Sequence, residues 1–112
     1  MQDRSKDKLT QLTKTFGILI KKHRMAQGKT IYRISAEAGM SKATWRELEL
    51  GIKNFRFSTL WKITEGLDIP IDTLMKELRV ELGNDFSLSD IKFKRGYLQD
   101  LQVTSTPDFI ET

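Results

Sequence analysis

The sequence predicts an all-α protein of five helices, a prediction that rests on where the apolar residues fall and on which residues separate them. Through most of the first 83 residues, apolar side chains recur every three or four positions, which is the period of an amphipathic helix. Glycines, and serine or threonine residues that can cap a helix, stand between these stretches. A chain of 112 residues has room for one domain with a modest core, and not for two.

The first two predicted helices lie on either side of Gly28. Helical spacing of apolar residues begins at Leu9, so we expect the first helix to start there and the eight polar residues before it to be frayed. Gly28 is a typical helix stop, and Thr30 is expected to cap a second helix with the sequence "IYRISAEA". Gly39 is expected to end that helix.

A turn of only three residues, "GMS", separates the second helix from the third. Ser41 is a good N-cap for a third helix over residues 42–50, "KATWRELEL", whose apolar residues are Trp45 and Leu48. Two helices joined by so short a turn, with a glycine in it, must cross at a wide angle.

Two further helices and a C-terminal extension are predicted beyond the loop "GIKNFRF". The fourth helix contains "LWKITEGL", and Pro70 precedes a fifth, "IDTLMKELRVEL", which stops at Gly83. We therefore predict a helical domain over residues 9–83 and an extension over residues 84–112 that ends in a flexible tail. The apolar residues after Gly83 fit neither a helical nor a strand period, so a helix and a hairpin both stay open there.

The composition argues against an enzyme, a metal site and a membrane protein. The chain has no cysteine and one histidine, His23, which has no evident catalytic partner. Glu47 and Glu49 are two residues apart on a helix and point to different faces, so they cannot act as a paired acid and base. No apolar run is long enough to span a bilayer. We expect a cytoplasmic protein without catalytic residues, metal or cofactor.

Charge is distributed unevenly along the chain. Residues 1–62 contain 14 lysines and arginines against five acidic residues, a net charge of +9. Residues 63–112 contain five against ten, a net charge of −5. A basic half and an acidic half suggest one face for a polyanion and another face for a different partner.

The segment "TIYRISAEAGMSKATWRELELGIKNFRFSTLWKITEGLDIPIDTLMKEL" resembles the Cro/C1-type, or XRE-like, helix-turn-helix family of repressors and regulators. The resemblance spans residues 12–78 and is carried by Gly39 with Ser41, by "ELELG", by Asn54 and by "LWKITEGLDIPIDTL". It implies a five-helix, lambda-repressor-like domain whose third helix enters the major groove of DNA while the second lies across the backbone. It also implies an ion pair between Arg24 and Glu49.

The sequence departs from the family pattern at four positions. Ile31 stands where many members have a phosphate-contacting glutamine, and Ser35 stands where alanine usually packs the second and third helices together. Phe55 replaces a usual proline, and Pro70 replaces a common serine cap. These departures leave the fold pattern intact and the course of the loop around Phe55 open.

The third helix is expected to read DNA. If Trp45 and Leu48 face the core, the opposite face carries the predicted base-contacting residues Lys42, Ala43, Thr44, Arg46 and Glu47. Arg46 can bind guanine through two hydrogen bonds, and a methyl group of Thr44 or Ala43 can contact thymine. The predicted phosphate-contacting residues are Lys29, Thr30, Arg33, Ser41, Lys53, Asn54 and Arg56.

The acidic half carries more apolar residues than one small domain needs. We expect residues 78–103 to form a dimer or partner interface, and the alternative is that they fold back on their own domain. The residues of the expected interface are Leu78, Leu82, Phe86, Leu88, Ile91, Phe93 and Leu98.

Together these features predict a DNA-binding transcriptional regulator, a repressor that binds a palindromic operator as a homodimer. Two alternatives stay open. In one, the chain is an antitoxin-type regulator whose C-terminal region holds a toxin protein. In the other, the helix-turn-helix module binds only protein.

Overall fold

The structure, a computed structural model, describes residues 4–89 of the chain. These residues form five helices: α1 (Arg4–Ala26), α2 (Ile31–Glu37), α3 (Lys42–Leu50), α4 (Phe57–Leu67) and α5 (Ile71–Leu82). No strand occurs in this range, so the predicted all-α fold of five helices is confirmed. None of these helices is long and apolar enough to cross a membrane. No group of three His, Asp or Glu residues within the described range could hold a metal ion.

The predicted caps set the ends of α2 and α3. Thr30 Oγ1 accepts a hydrogen bond from the N–H of Arg33 at 3.0 Å, and Ser41 Oγ accepts one from the N–H of Thr44 at 3.1 Å. Gly51 follows α3 with a φ of 67°, a left-handed conformation that favours glycine. The residue types at both ends of α3 therefore fix its length.

The start of α1 differs from the prediction. The helix begins at Arg4, five residues before Leu9, so the expectation of a frayed segment is wrong from residue 4 onward. Apolar spacing reports only the buried part of a helix, whereas a formed helix can extend into solvent by adding one hydrogen bond for each residue. Among the described side chains of α1, the first buried one is Thr13.

All five helices contribute to one core. Six large side chains are less than 2% exposed, and every helix supplies at least one: Ile20, Ile34, Trp45, Ile63, Leu67 and Leu74. Each fully buried leucine or isoleucine contributes about 1.5–3 kcal/mol. Trp45 is the largest of the six, so its side chain anchors α3 in the core.

Two glycines let α1 and α3 approach closely. A Cβ atom at Gly17 would lie 2.4 Å from the carbonyl oxygen of Glu49, and one at Gly51 would lie 2.5 Å from Cα of Lys14. Thr13 Oγ1 also donates a hydrogen bond to the carbonyl oxygen of Gly51 at 2.9 Å. A larger residue at either glycine would force the two helices apart.

Close packing also explains the glycine inside α4. Glycine costs a helix up to about 1 kcal/mol relative to alanine. A Cβ atom at Gly66 would lie 2.7 Å from Cβ of Ala38, which follows α2. Ser35, where the family usually has alanine, is 3% exposed on α2, and its hydroxyl donates to the carbonyl oxygen of Tyr32 at 3.0 Å. The buried hydroxyl of Ser35 therefore has a hydrogen-bond partner, as a buried polar group needs.

Two more of the four departures from the family pattern, Phe55 and Pro70, also fit the fold. The ring of Phe55 lies 5.2 Å from the ring of Phe16, measured between centroids, so the loop between α3 and α4 gains an apolar anchor. Pro70 precedes α5, and its carbonyl oxygen accepts the N–H of Leu74 at 3.1 Å. The helix therefore starts at the predicted place without a serine cap.

The described chain continues a short way past α5. Gly83 ends the helix as predicted, and its N–H donates to the carbonyl oxygen of Arg79 at 2.9 Å. Residues 84–89 contain no helix. The choice between helix and hairpin for the rest of the extension, and the predicted tail, concern residues outside the described range.

Candidate nucleic-acid interface

One face of α3 points away from the core because Trp45 and Leu48 hold the opposite face in it. The outward side carries all five residues predicted to contact bases: Lys42, Ala43 and Arg46 are exposed, and Thr44 and Glu47 are half-buried. Long cationic and carboxylate side chains on one side of a helix are the groups that bind base edges in the major groove. Contact with bases itself stays a prediction.

An ion pair between α1 and α3 fixes the orientation of that face. Arg24 Nε donates to Glu49 Oε2 at 2.5 Å, and Nη2 of the same guanidinium donates to Oε1 at 3.1 Å. The side chains are only 11% and 6% exposed, respectively. The structure thus contains the pair that the family resemblance implied, in a two-bond geometry shielded from solvent.

Two further hydrogen bonds extend this ion pair, and neither was predicted. The indole N–H of Trp45 donates to Glu49 Oε2 at 2.6 Å. Arg24 Nη1 donates to the carbonyl oxygen of Lys29 at 2.9 Å, just before α2. Trp45 and Glu49 are four residues apart on α3, a spacing that brings side chains together and would have signalled the first contact.

Three of the predicted phosphate-contacting cations are held in ion pairs. Glu37 binds both Lys29, at 2.6 Å, and Arg33, at 3.0 Å, while Glu47 binds Lys53 at 3.1 Å. The hydrogen bond from Lys29, followed by the one from Arg33, lowers the pKa of Glu37 from its ordinary value. Glu37 was not among the predicted site residues, although its i,i+4 spacing from Arg33 is a signal for the pair.

The remaining cations near α3 have no such partner. Lys42, Arg46 and Arg56 form no ion pair with any residue between 7 and 89, and all three are exposed. Asn54 Oδ1 accepts the N–H of Phe55 at 3.0 Å, so its amide nitrogen stays available as a donor. Ser41 Oγ lies 2.8 Å from the hydroxyl of Thr44 at the start of α3.

The predicted dimer interface begins in an open apolar groove. Leu78, Leu82, Phe86 and Leu88 line this groove together with Leu12, and its volume is about 630 Å³. Leu88 is 44% exposed. The other three predicted interface residues, Ile91, Phe93 and Leu98, lie outside the described residues.

The sequence of these helices matches a known protein family. A family model described as helix-turn-helix covers residues 20–74, from within α1 to within α5. Residues 20–74 are a helix-turn-helix of the XRE type. The family and the fold are those of DNA-binding transcriptional regulators, so the resemblance and the fold class predicted from the sequence are confirmed.

Solved structures of two regulators share the XRE-type fold. The restriction-modification controller protein C.Esp1396I superposes with a TM-score of 0.60 at 21% identity, over 63% of this chain and 92% of its own. The clp gene regulator ClgR from Corynebacterium glutamicum superposes in one structure with a TM-score of 0.59 at 19% identity, over 64% of this chain and 94% of its own. In a second structure of ClgR the values are 0.58 and 17%, over 83% and 93%. No curated protein matches the chain in sequence.

The Arg24–Glu49 pair yields a stability prediction. We expect Glu49→Gln to lower the free energy of unfolding by about 3 kcal/mol, because it leaves the Arg24 guanidinium shielded from water without its counter-charge. Urea denaturation followed by circular dichroism measures the change. The control is Glu81→Gln on α5, an exposed position with no ion pair among residues 7–89, where a change within about 0.5 kcal/mol is expected. Equal midpoints for the two variants would contradict the proposed role of the pair.

Proposed function

We propose that this XRE-type protein represses transcription by binding a specific DNA operator through α3, its reading helix. The observation that carries the proposal is the outward face of α3, where exposed Lys42 and Arg46 stand without ion-pair partners in the described chain. The net charge of +9 on residues 1–62 favours a polyanion on this side of the domain. The proposed site of action is the cytoplasm, at the nucleoid.

Each base-contacting residue has a proposed role that follows from its chemistry. Arg46 binds O6 and N7 of guanine, and Lys42 reaches guanine or a phosphate. The hydroxyl of Thr44 already bonds to Ser41, so its methyl group, with that of Ala43, is assigned to thymine. The carboxylate of Glu47 would accept from the amino group of cytosine after leaving Lys53.

The proposed phosphate contacts fall into two groups. Arg56, Asn54, Thr30 and Ser41 are exposed at the ends of elements next to α3 and need no rearrangement of an ion pair. Lys29, Arg33 and Lys53 each form an ion pair with a carboxylate of the domain, which competes with a phosphate for them. The first group is therefore expected to contact phosphates without first opening an ion pair of the domain.

We propose that two copies of the chain bind a palindromic operator. The groove at Leu82 and Leu88 provides exposed apolar surface at the point where the acidic extension begins. Two domains joined there would place their reading helices about 34 Å apart, which is one turn of DNA. Joining two weak half-site interactions in this way raises affinity by about 10²–10⁴-fold. In the antitoxin alternative, the same groove would hold a partner protein.

The roles of two arginines provide a direct test of the reading helix. Arg46→Ala is expected to cost about 1–3 kcal/mol on the best site and to flatten the preference at one base position in each half-site. Arg56→Ala is expected to weaken binding to all sequences alike and to make the salt dependence shallower, because it removes a phosphate contact. Titrations on matched and mismatched duplexes measure both effects. Identical behaviour of the two variants would rule out the assignment.

The dimer proposal is tested by a pair of lysine substitutions. We expect the full chain to sediment as a dimer, and Leu88→Lys to sediment as a monomer and to lose at least about 10²-fold in operator affinity. Val80→Lys is the matched control, because Val80 is 76% exposed and does not line the groove. Val80→Lys should remain a dimer with unchanged affinity. A Leu88→Lys protein that remains a fully active dimer would show that the interface lies elsewhere.

A further inference from the structure

One carboxylate forms ion pairs with two of the cations that flank the reading helix. Glu37 is the last residue of α2, and each of its carboxylate oxygens has its own partner. Lys29 Nζ donates to Oε1 at 2.6 Å, and Arg33 Nε donates to Oε2 at 3.0 Å. Both cations are residues that the sequence predicts to contact phosphate, so the carboxylate binds groups that a phosphate would also bind.

The two ion pairs differ in how easily they can open. The Arg33 side chain is 60% exposed, whereas that of Lys29 is 14% exposed. Lys29 Nζ also lies 3.4 Å from the carbonyl oxygen of Gly66 and so connects the start of α2 with the end of α4. Arg33 can therefore swing to a phosphate at little structural cost, while Lys29 is held by the fold.

We propose that Glu37 competes with DNA phosphates for Arg33, and to a smaller extent for Lys29, and thereby limits the sequence-independent part of DNA binding. The inference rests on the proposed function of α3. Carboxylate and phosphate oxygens accept hydrogen bonds from the same guanidinium and ammonium groups, and the carboxylate also neutralises the charge that would attract a DNA backbone. Affinity for DNA of arbitrary sequence comes almost entirely from such phosphate contacts.

Glu37 is separated from the groups that would read sequence. It lies on α2, before the turn, whereas all five proposed base-contacting residues lie on α3. The other carboxylate that holds a flanking cation, Glu47, belongs to α3 and to the proposed base-contacting set. Removing the charge of Glu37 therefore changes phosphate binding and leaves the outward face of α3 as it is.

The test is Glu37→Gln in the full chain, with binding measured on a random-sequence duplex over a range of salt concentrations. We expect binding at low salt to tighten about threefold to tenfold, a modest gain because exposed ion pairs are weak competitors. The slope of log affinity against log salt should steepen by up to about 0.9 for each cation released. The same substitution in an Arg33→Gln background should give a smaller gain, because the more mobile of the two cations is then missing.

Glu81→Gln is the matched control, since it makes the same change in net charge on α5, where Glu81 has no ion pair among the described residues. It should change neither affinity nor slope by a comparable amount. Equal results for Glu37→Gln and Glu81→Gln, or weaker binding by Glu37→Gln, would overturn the role of Glu37. A wild-type chain that binds no duplex in a salt-dependent way would instead overturn the proposed function itself.

Discussion

The contact between α1 and α3 determines where the outward face of α3 lies, and the other helices pack around that pair. Gly17 allows the α3 carbonyl oxygens to come within a distance that no side chain would permit. Arg24 then binds Glu49 through two hydrogen bonds, and the same carboxylate accepts the indole N–H of Trp45. The close backbone contact and the shielded ion pair thus both act on the last turns of α3. Rotation of the helix would cause a steric clash with α1 and would separate the charges of the ion pair.

This arrangement couples stability to the proposed function. Trp45 belongs to the core and to the hydrogen-bond network at once, so the buried face of α3 and the ion pair fix one common orientation. Lys42 and Arg46 then project from the opposite face without partners in the described chain. By contrast, Lys29, Arg33 and Lys53 are neutralised by carboxylates of the domain itself. Within residues 7–89, the cations on the proposed reading face form no ion pair, whereas those three beside it do.

The local features of the fold were predictable, whereas its long-range contacts were not. Thr30, Ser41 and Gly83 mark helix ends because capping and helix termination depend on residues close in sequence. The start of α1 at Arg4 has no apolar pattern to mark it, because the residues before Leu9 are polar. The role of Gly17 depends on a backbone 32 residues away, and nothing in its own neighbourhood indicates it.

In the candidate site, too, local features were predictable from the sequence and long-range contacts were not. The exposed residues of α3 follow from helical geometry once Trp45 and Leu48 are placed in the core. The pair of Arg24 with Glu49 was implied only by family resemblance, because the two residues are 25 positions apart. The pair of Glu37 with Arg33 has a local signal in its i,i+4 spacing, whereas the contact of Glu37 with Lys29 depends on how the chain turns into α2.

Selection of bound duplexes from a random DNA pool by the full chain tests most directly whether α3 reads DNA. We expect enrichment of a two-fold symmetric sequence whose half-sites are centred about 10 base pairs apart, with binding that weakens as salt is raised. A pool that remains unenriched after repeated rounds, from a chain shown to be folded, would contradict the claim that α3 reads DNA.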